Sequence, residues 1–266
     1  MDPDSALDTA IRLCRDALAQ APAGLATDFD GTLAPIVADP ARVAAATGAR
    51  EALEELARRI AVVALITGRR AGDARRLVGT DQVAIAGNHG VEWMAPGQAE
   101  AAPDPREAEV RTALGRMLAA VPSDLGLSIE DKGLSATVHY RNAPNPSEAR
   151  RRMLEALDAA SDPVIARRYG RMSVELRAPL LGDKGMAIHQ IADRYGLAGL
   201  VVMGDDVTDL DMFRAAHELR TKRRLRATVV AVGAGDEVPA EVGAAADVVI
   251  ADTAAAVALL QALGRG

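Results

Sequence analysis

At 266 residues the chain exceeds the usual size of one domain, and its 49% hydrophobic content is drawn largely from Ala, Val and Leu, with aromatics at only 2%. A net charge of −6 argues against general nucleic-acid binding, no apolar run approaches the about 20 residues that span a bilayer, and the start, Met1-Asp2-Pro3-Asp4-Ser5, lacks the basic-then-apolar order of a secretory signal. The lone Cys14 excludes an intrachain disulfide or a cysteine metal site, so the expectation is a soluble cytoplasmic protein with no nucleic acid, no membrane and no obligatory protein partner.

A helix is predicted over 5–20, with Ser5 as its N-cap. Short apolar runs at 25–29, 60–66, 83–86, 200–203, 228–232 and 247–250 read as buried strands. Helical patterns at 48–59, 71–77, 184–195, 207–216 and 253–263 separate many of them. Strands alternating with helices point to an α/β fold, a parallel sheet covered on both faces, with ligands bound beyond the carboxyl ends of the strands. The middle of the chain breaks that order. Residues 96–105 look like a linker; then come a helix at 106–121, runs at 126–131 and 134–141, a helix at 147–160, and runs at 164–169 and 171–177 turning at Gly170. This αββαββ series predicts a small α+β domain over 106–179, inserted between core segments 1–105 and 180–266. Ser135, Thr137, His139 and Arg141 share one face of a strand, and Arg171, Ser173, Glu175 and Arg177 share one face of another, which gives a polar platform. Lys222-Arg223-Arg224-Leu225-Arg226 reads as a solvated helix end.

Four motifs carry chemistry, three at strand ends and one at the start of a helix. In Asp28-Phe29-Asp30-Gly31-Thr32-Leu33, two carboxylates two residues apart can reach one small volume, either to hold a divalent cation or to divide nucleophile and acid roles. Ala64-Leu65-Ile66-Thr67-Gly68-Arg69 ends a strand in a hydroxyl and backbone amides suited to phosphate oxygens. Gly182-Asp183-Lys184-Gly185 opens a helix with an ammonium group beside its N-terminus. Gly204-Asp205-Asp206-Val207-Thr208-Asp209 gathers three carboxylates after a buried strand; a helix N-cap explains one of them well and three poorly.

The order of these motifs resembles that of the haloacid dehalogenase-like phosphatases, and the αββαββ insert matches one cap type of that superfamily. The resemblance implies a Rossmann-like parallel-sheet core with a cap domain. It implies Asp28 as nucleophile through an aspartyl-phosphate, and Asp30 as the general acid and base, in surroundings that favour its neutral form. It further implies Mg²⁺ on the Asp28 carboxylate, the Asp30 carbonyl and Asp205, with Asp206 and Asp209 orienting neighbours. Thr67, Gly68 and Lys184 would clamp the phosphate.

Further strings narrow the resemblance to trehalose-6-phosphate phosphatases: Gly87-Asn88-His89-Gly90, Glu130-Asp131-Lys132-Gly133, His139-Tyr140-Arg141 and the run Gly170–Arg177. In that family the cap residues matching Glu130, Lys132, Arg141 and Glu175 grip sugar hydroxyls. A charged hairpin turn is the plain alternative for Glu130 and Lys132, and a cross-strand ion pair for Arg141 and Glu175. His89, on a Gly-rich loop at the same rim, either shapes the site or contacts substrate, or else only stabilises its turn. One departure is Leu210, where the family usually carries Glu. The implied activity is hydrolysis of the sugar-phosphate substrate trehalose 6-phosphate. A phosphatase of a related glycosyl or pseudo-disaccharide phosphate, a phosphomutase and a non-catalytic sugar-phosphate sensor are the alternatives.

Overall fold

The computed structural model describes residues 3–37, 43–102, 107–178, 183–222, 225–233 and 238–265. In chain order the first segment holds α1 (Pro3–Leu18), β1 (Ala23–Thr27), α2 (Ala49–Ala57), β2 (Val62–Ile66), α3 (Ala71–Val78), β3 (Ala84–Gly87) and β4 (Glu92–Met94). Next come α4 (Glu107–Ala120), β5 (Ser128–Asp131), β6 (Ser135–His139), α5 (Pro146–Ala159), β7 (Ala166–Gly170) and β8 (Ser173–Arg177). The last segment holds α6 (Lys184–Tyr195), β9 (Gly199–Gly204), α7 (Leu210–Lys222), β10 (Arg226–Val232), α8 (Ala240–Ala245), β11 (Val248–Ile250) and α9 (Thr253–Gly264).

Two compact units result, one of Met1–Ala102 with Asp183–Gly266, the other of Pro103–Gly182. The expected domain boundaries at 105 and 179 lie outside the described residues, as do Gly182 and the central arginines of the basic run. In the first unit the sheet order is β11-β10-β9-β1-β2-β3-β4. Every pairing is parallel except β3 with β4. The expected α/β architecture is therefore present. Strands β1, β2, β3 and β9 are buried at every residue, which is why they read as continuous apolar runs. Alternate residues serve two cores. Leu25, Leu65 and Val201 join Cys14, Leu53 and Leu260 on one face, and Ala26, Ile66 and Val202 join Ile188, Ile191 and Phe213 on the other.

Several details depart from the sequence-based expectation, beginning with Ser5, which lies inside α1 and does not cap it. Strand β4 is only three residues long and begins with Glu92, too short to show a period. The expected linker is partly pinned to it, Ala102 N–H donating to the Trp93 carbonyl at 2.7 Å. The six-residue α8, rich in Ala, gave no periodic signal. In the inserted unit the sheet order is β5-β6-β8-β7, antiparallel throughout. Gly170 there pairs with Ser173, so the turn is made by Arg171 and Met172, with Met172 at φ 63°. Val138, Val174 and Leu176 are buried, as are Met117, Met153 and Leu157 of the two helices. The other face carries a row across all four strands: Glu130, Thr137, Glu175 and Arg168.

Candidate active site

Asp28 continues β1 by one residue, its N–H donating to the Met203 carbonyl of β9 at 2.9 Å, so its carboxylate emerges at the carboxyl end of the sheet. The chain then turns at Gly31, at φ 89°. A β-carbon on Gly31 would stand 2.0 Å from an Asp205 oxygen, so only glycine lets that carboxylate lie over the turn. The buried Thr32 hydroxyl donates to the other Asp205 oxygen at 2.9 Å. A cleft of about 460 Å³, lined by Gly31, Asp205, Gly233 and Asp252 among others, opens beside it.

Lys184 is the first residue of α6, a helix capped by Asp183 through Met186 N–H at 2.8 Å. Its Nζ lies 2.7 Å from Asp28 Oδ1 and 2.6 Å from Asp209 Oδ1. Burial works to lower the Lys184 pKa, yet Asp209 and Asp28 outweigh it and hold the ammonium proton firmly. Burial, reinforced by Asp209 and Asp205, pushes the Asp28 carboxyl well above its ordinary range despite Lys184. Burial, then the charge of Asp209, raises Asp205 to about 7.

Oxygens of Asp28, Asp205 and Asp209 lie within 4.8 Å of one another. Lys184 bonds two of these carboxylates, Asp28 and Asp209, and a hard divalent cation with oxygen ligands would offset the charge that Asp205 adds beside them. The donor set fits Mg²⁺. Asp209 is nevertheless fully engaged elsewhere: Lys184 takes Oδ1, and the N–H groups of Asp205 and Asp206 donate to Oδ2 at 2.9 and 3.2 Å. That leaves Asp28 and Asp205 as the carboxylates open to a metal. Asp206 is exposed and caps the short helical turn 207–209, so one of the three motif carboxylates is a plain capping residue.

Thr67 is buried, and its Oγ1 accepts from Arg69 N–H at 3.2 Å. Gly68 and Arg69 follow it on the same loop. Arg69 extends a guanidinium fork to Asp30, with both contacts at 2.6 Å. Both Asp30 oxygens thus accept from one guanidinium, an arrangement that the motif spacing could not reveal. His89 is buried, and its backbone N–H donates to the Thr67 carbonyl at 2.8 Å. Leu210 packs against the apolar core beneath α7.

Within the inserted unit, Glu130 Oε2 lies 3.8 Å from both Lys132 Nζ and His139 Nε2. Arg141 is exposed beyond the end of β6, and its guanidinium donates to the Arg171 carbonyl at 3.3 Å. Glu175 stands opposite Thr137 and Arg168, so Arg141 is not its cross-strand partner. Arg168 escaped the sequence reading because Arg167 and Arg168 are adjacent and only the register tells which one shares the face of Glu175.

A family model described as trehalose-phosphatase matches residues 26–241. The chain belongs to the trehalose-phosphatase family. A trehalose-phosphate phosphatase of Mycobacterium leprae is 35% identical over 209 residues, 71% of this chain and 47% of the relative. A probable trehalose-phosphate phosphatase of Sinorhizobium fredii is 34% identical over 196 residues, 72% of this chain and 73% of the relative. The chain spans about half the length of the trehalose-phosphate phosphatases of Mycobacterium leprae and Mycobacterium avium that it matches. Among solved structures, the C-terminal domain of Candida albicans trehalose-6-phosphate phosphatase superposes with a TM-score of 0.72 at 20% identity, covering 97% of this chain and 96% of that one. A trehalose-6-phosphate phosphatase related protein gives a TM-score of 0.70 at 24% identity, covering 91% and 97%. These structures share the fold of the trehalose-phosphatase family. Among the described residues no helix is long and apolar enough to cross a membrane.

Proposed function

We propose that this protein is a Mg²⁺-dependent phosphatase that hydrolyses trehalose 6-phosphate to trehalose and phosphate. The observation that carries the reading is the set of buried Asp28, Lys184 and Asp209 with half-buried Asp205 at the carboxyl ends of β1 and β9, supported by the family of the chain. Asp28 attacks the phosphorus atom, the bond to the sugar oxygen breaks, and an aspartyl-phosphate forms. Asp30 gives its proton to the departing sugar oxygen, then takes one from the water that attacks phosphorus and frees Asp28. That role needs at least one Asp30 oxygen to leave the Arg69 fork. Thr67 Oγ, the Gly68 N–H and Lys184 hold the phosphoryl oxygens. Asp28, the Asp30 carbonyl and Asp205 would hold Mg²⁺, which when bound offsets charge on the phosphoryl group. Asp209 keeps Lys184 aimed at Asp28.

Recognition of the sugar falls to Glu130, Lys132, Arg141 and Glu175. Carboxylates accept from paired hydroxyls and leave a costly unpaired charge when a hydroxyl is missing. Phosphate release over a panel of sugar phosphates, with and without Mg²⁺, tests the reading. Preferential turnover of trehalose 6-phosphate only with the metal is expected. Preference for another glycosyl phosphate would overturn the substrate and leave the chemistry standing; binding without turnover of any would overturn the chemistry.

A further inference from the structure

Asn88 and His89 both stand in the left-handed backbone region, at φ 48° and 60°, which is uncommon for residues other than glycine although Asn and His enter it more readily than most. The turn they form grips the adjacent loop at both ends. His89 N–H donates to the Thr67 carbonyl at 2.8 Å, and Asn88 N–H donates to the Arg69 carbonyl at 2.7 Å. The His89 ring lies against Gly68, where an added β-carbon would meet it at 2.7 Å. Behind the turn sits Glu92, the first residue of β4 and only 7% exposed. Asn88 Nδ2 donates to Glu92 Oε1 at 2.6 Å, and Ala71 N–H, which opens α3, donates to Glu92 Oε2 at 2.7 Å. One buried carboxylate therefore ties the strained turn to the start of the helix that follows Thr67-Gly68-Arg69.

We infer that Glu92 is a positioning residue for the phosphate site, acting through Asn88 to hold the turn that keeps the Thr67 hydroxyl and the Gly68 amide in place. The inference rests on the reading of Thr67 and Gly68 as phosphate-binding groups. Glu92 touches no reacting atom; it fixes the backbone from which those groups project, and small displacements of such groups are catalytically costly.

A hydrogen-bond polarity swap tests it. Glu92→Gln places an amide donor against the Asn88 amide or against Ala71 N–H, and Asn88→Asp places two carboxyl groups face to face. The double variant lets the new amide donate to the new carboxylate while still accepting from Ala71 N–H. Each single variant should lower kcat on an aryl phosphate, and weaken inhibition by orthovanadate, on the order of tenfold to a hundredfold. The double variant should regain most of both. Asn88→Gly, which relieves the left-handed strain while removing the amide, keeps the test open if the charged variants fold poorly; it too should lose orthovanadate affinity. Retained kcat and orthovanadate affinity in the folded single variants, or additive losses in the double, would overturn the inference. Wild-type protein that neither hydrolyses aryl phosphate nor binds orthovanadate would overturn the phosphatase reading, and this inference with it.

Discussion

Lys184, in the parallel-sheet unit, lies 2.7 Å from Asp28, with side-chain exposures of 4% and 7%; in the inserted unit Lys132 stands 3.8 Å from Glu130, which is 49% exposed. The first pair is locked by desolvation and by Asp209, whose oxygens are all occupied by donors. The second is longer and more exposed, with Lys132 itself at 19%. Under the proposed function, the contrast suits the two units to different work. Chemistry needs charges held in place before substrate arrives, because preorganised groups need no rearrangement in the transition state. Sugar recognition needs polar groups that give up water for hydroxyls at low cost, and an exposed antiparallel sheet face provides them.

That contrast can be broken most directly at Asp28. Asp28→Asn should reduce turnover of every phosphate ester by more than about a thousandfold, read as initial rates of phosphate release. Turnover that survives would remove Asp28 as nucleophile. Next in size is the comparison of the two lysines. Lys184→Met leaves buried carboxylates without their ammonium and should cost about 3–5 kcal/mol in urea unfolding of metal-free protein at pH 8. Lys132→Met should cost less than about 1 kcal/mol under the same conditions. Equal losses would erase the distinction between the units.

Arg69→Met probes the fork on Asp30. Its effect should depend on the leaving group, with a rise of up to about tenfold for a sugar phosphate, whose alkoxide needs the proton of an Asp30 released from the fork, and little change for an aryl phosphate. Equal losses on both would place Arg69 on the phosphate rather than on Asp30. Glu175→Ala sharpens the other side. About a tenfold loss in kcat/KM for trehalose 6-phosphate, with an aryl phosphate unaffected, is expected; parallel losses would make Glu175 structural.

The smallest effect concerns pH. The folded-state pKa of Asp205 is raised from 3.8 to about 7. Folding therefore favours its protonated form, a preference fully present below the ordinary carboxylate range and lost as pH rises through about 7. Metal-free protein should lose stability across that interval. Mg²⁺ needs the ionised group, so the rise in Tm on adding the metal should be small at pH 5.5 and larger at pH 8. A metal-induced rise that is flat with pH would remove Asp205 from the metal site.

Much of the core unit is legible in the chain. Leu25, Val63 and Val201 mark strands buried on both faces, and Asp28, Thr67 and Asp205 each follow such a strand directly, so sequence order alone predicts a common rim. What is harder to read is short or non-local. Glu92 opens a strand of three residues and shows no period, yet its carboxylate sits under the turn 88–90. Arg168 and Glu175 share a face only once the register of β7 against β8 is known.

The sequence by itself determined the α/β class, the αββαββ insert and the ordered set Asp28, Thr67, Lys184 and Asp205, because strand burial and backbone turns leave local signatures of composition and spacing. Tertiary structure alone decided how the charges are shared: Asp209 on Lys184, Arg69 on Asp30, and Glu92 on the Ala71 N–H. Hydrogen-bond partners far apart in sequence are chosen by packing, and no local pattern of residues records that choice.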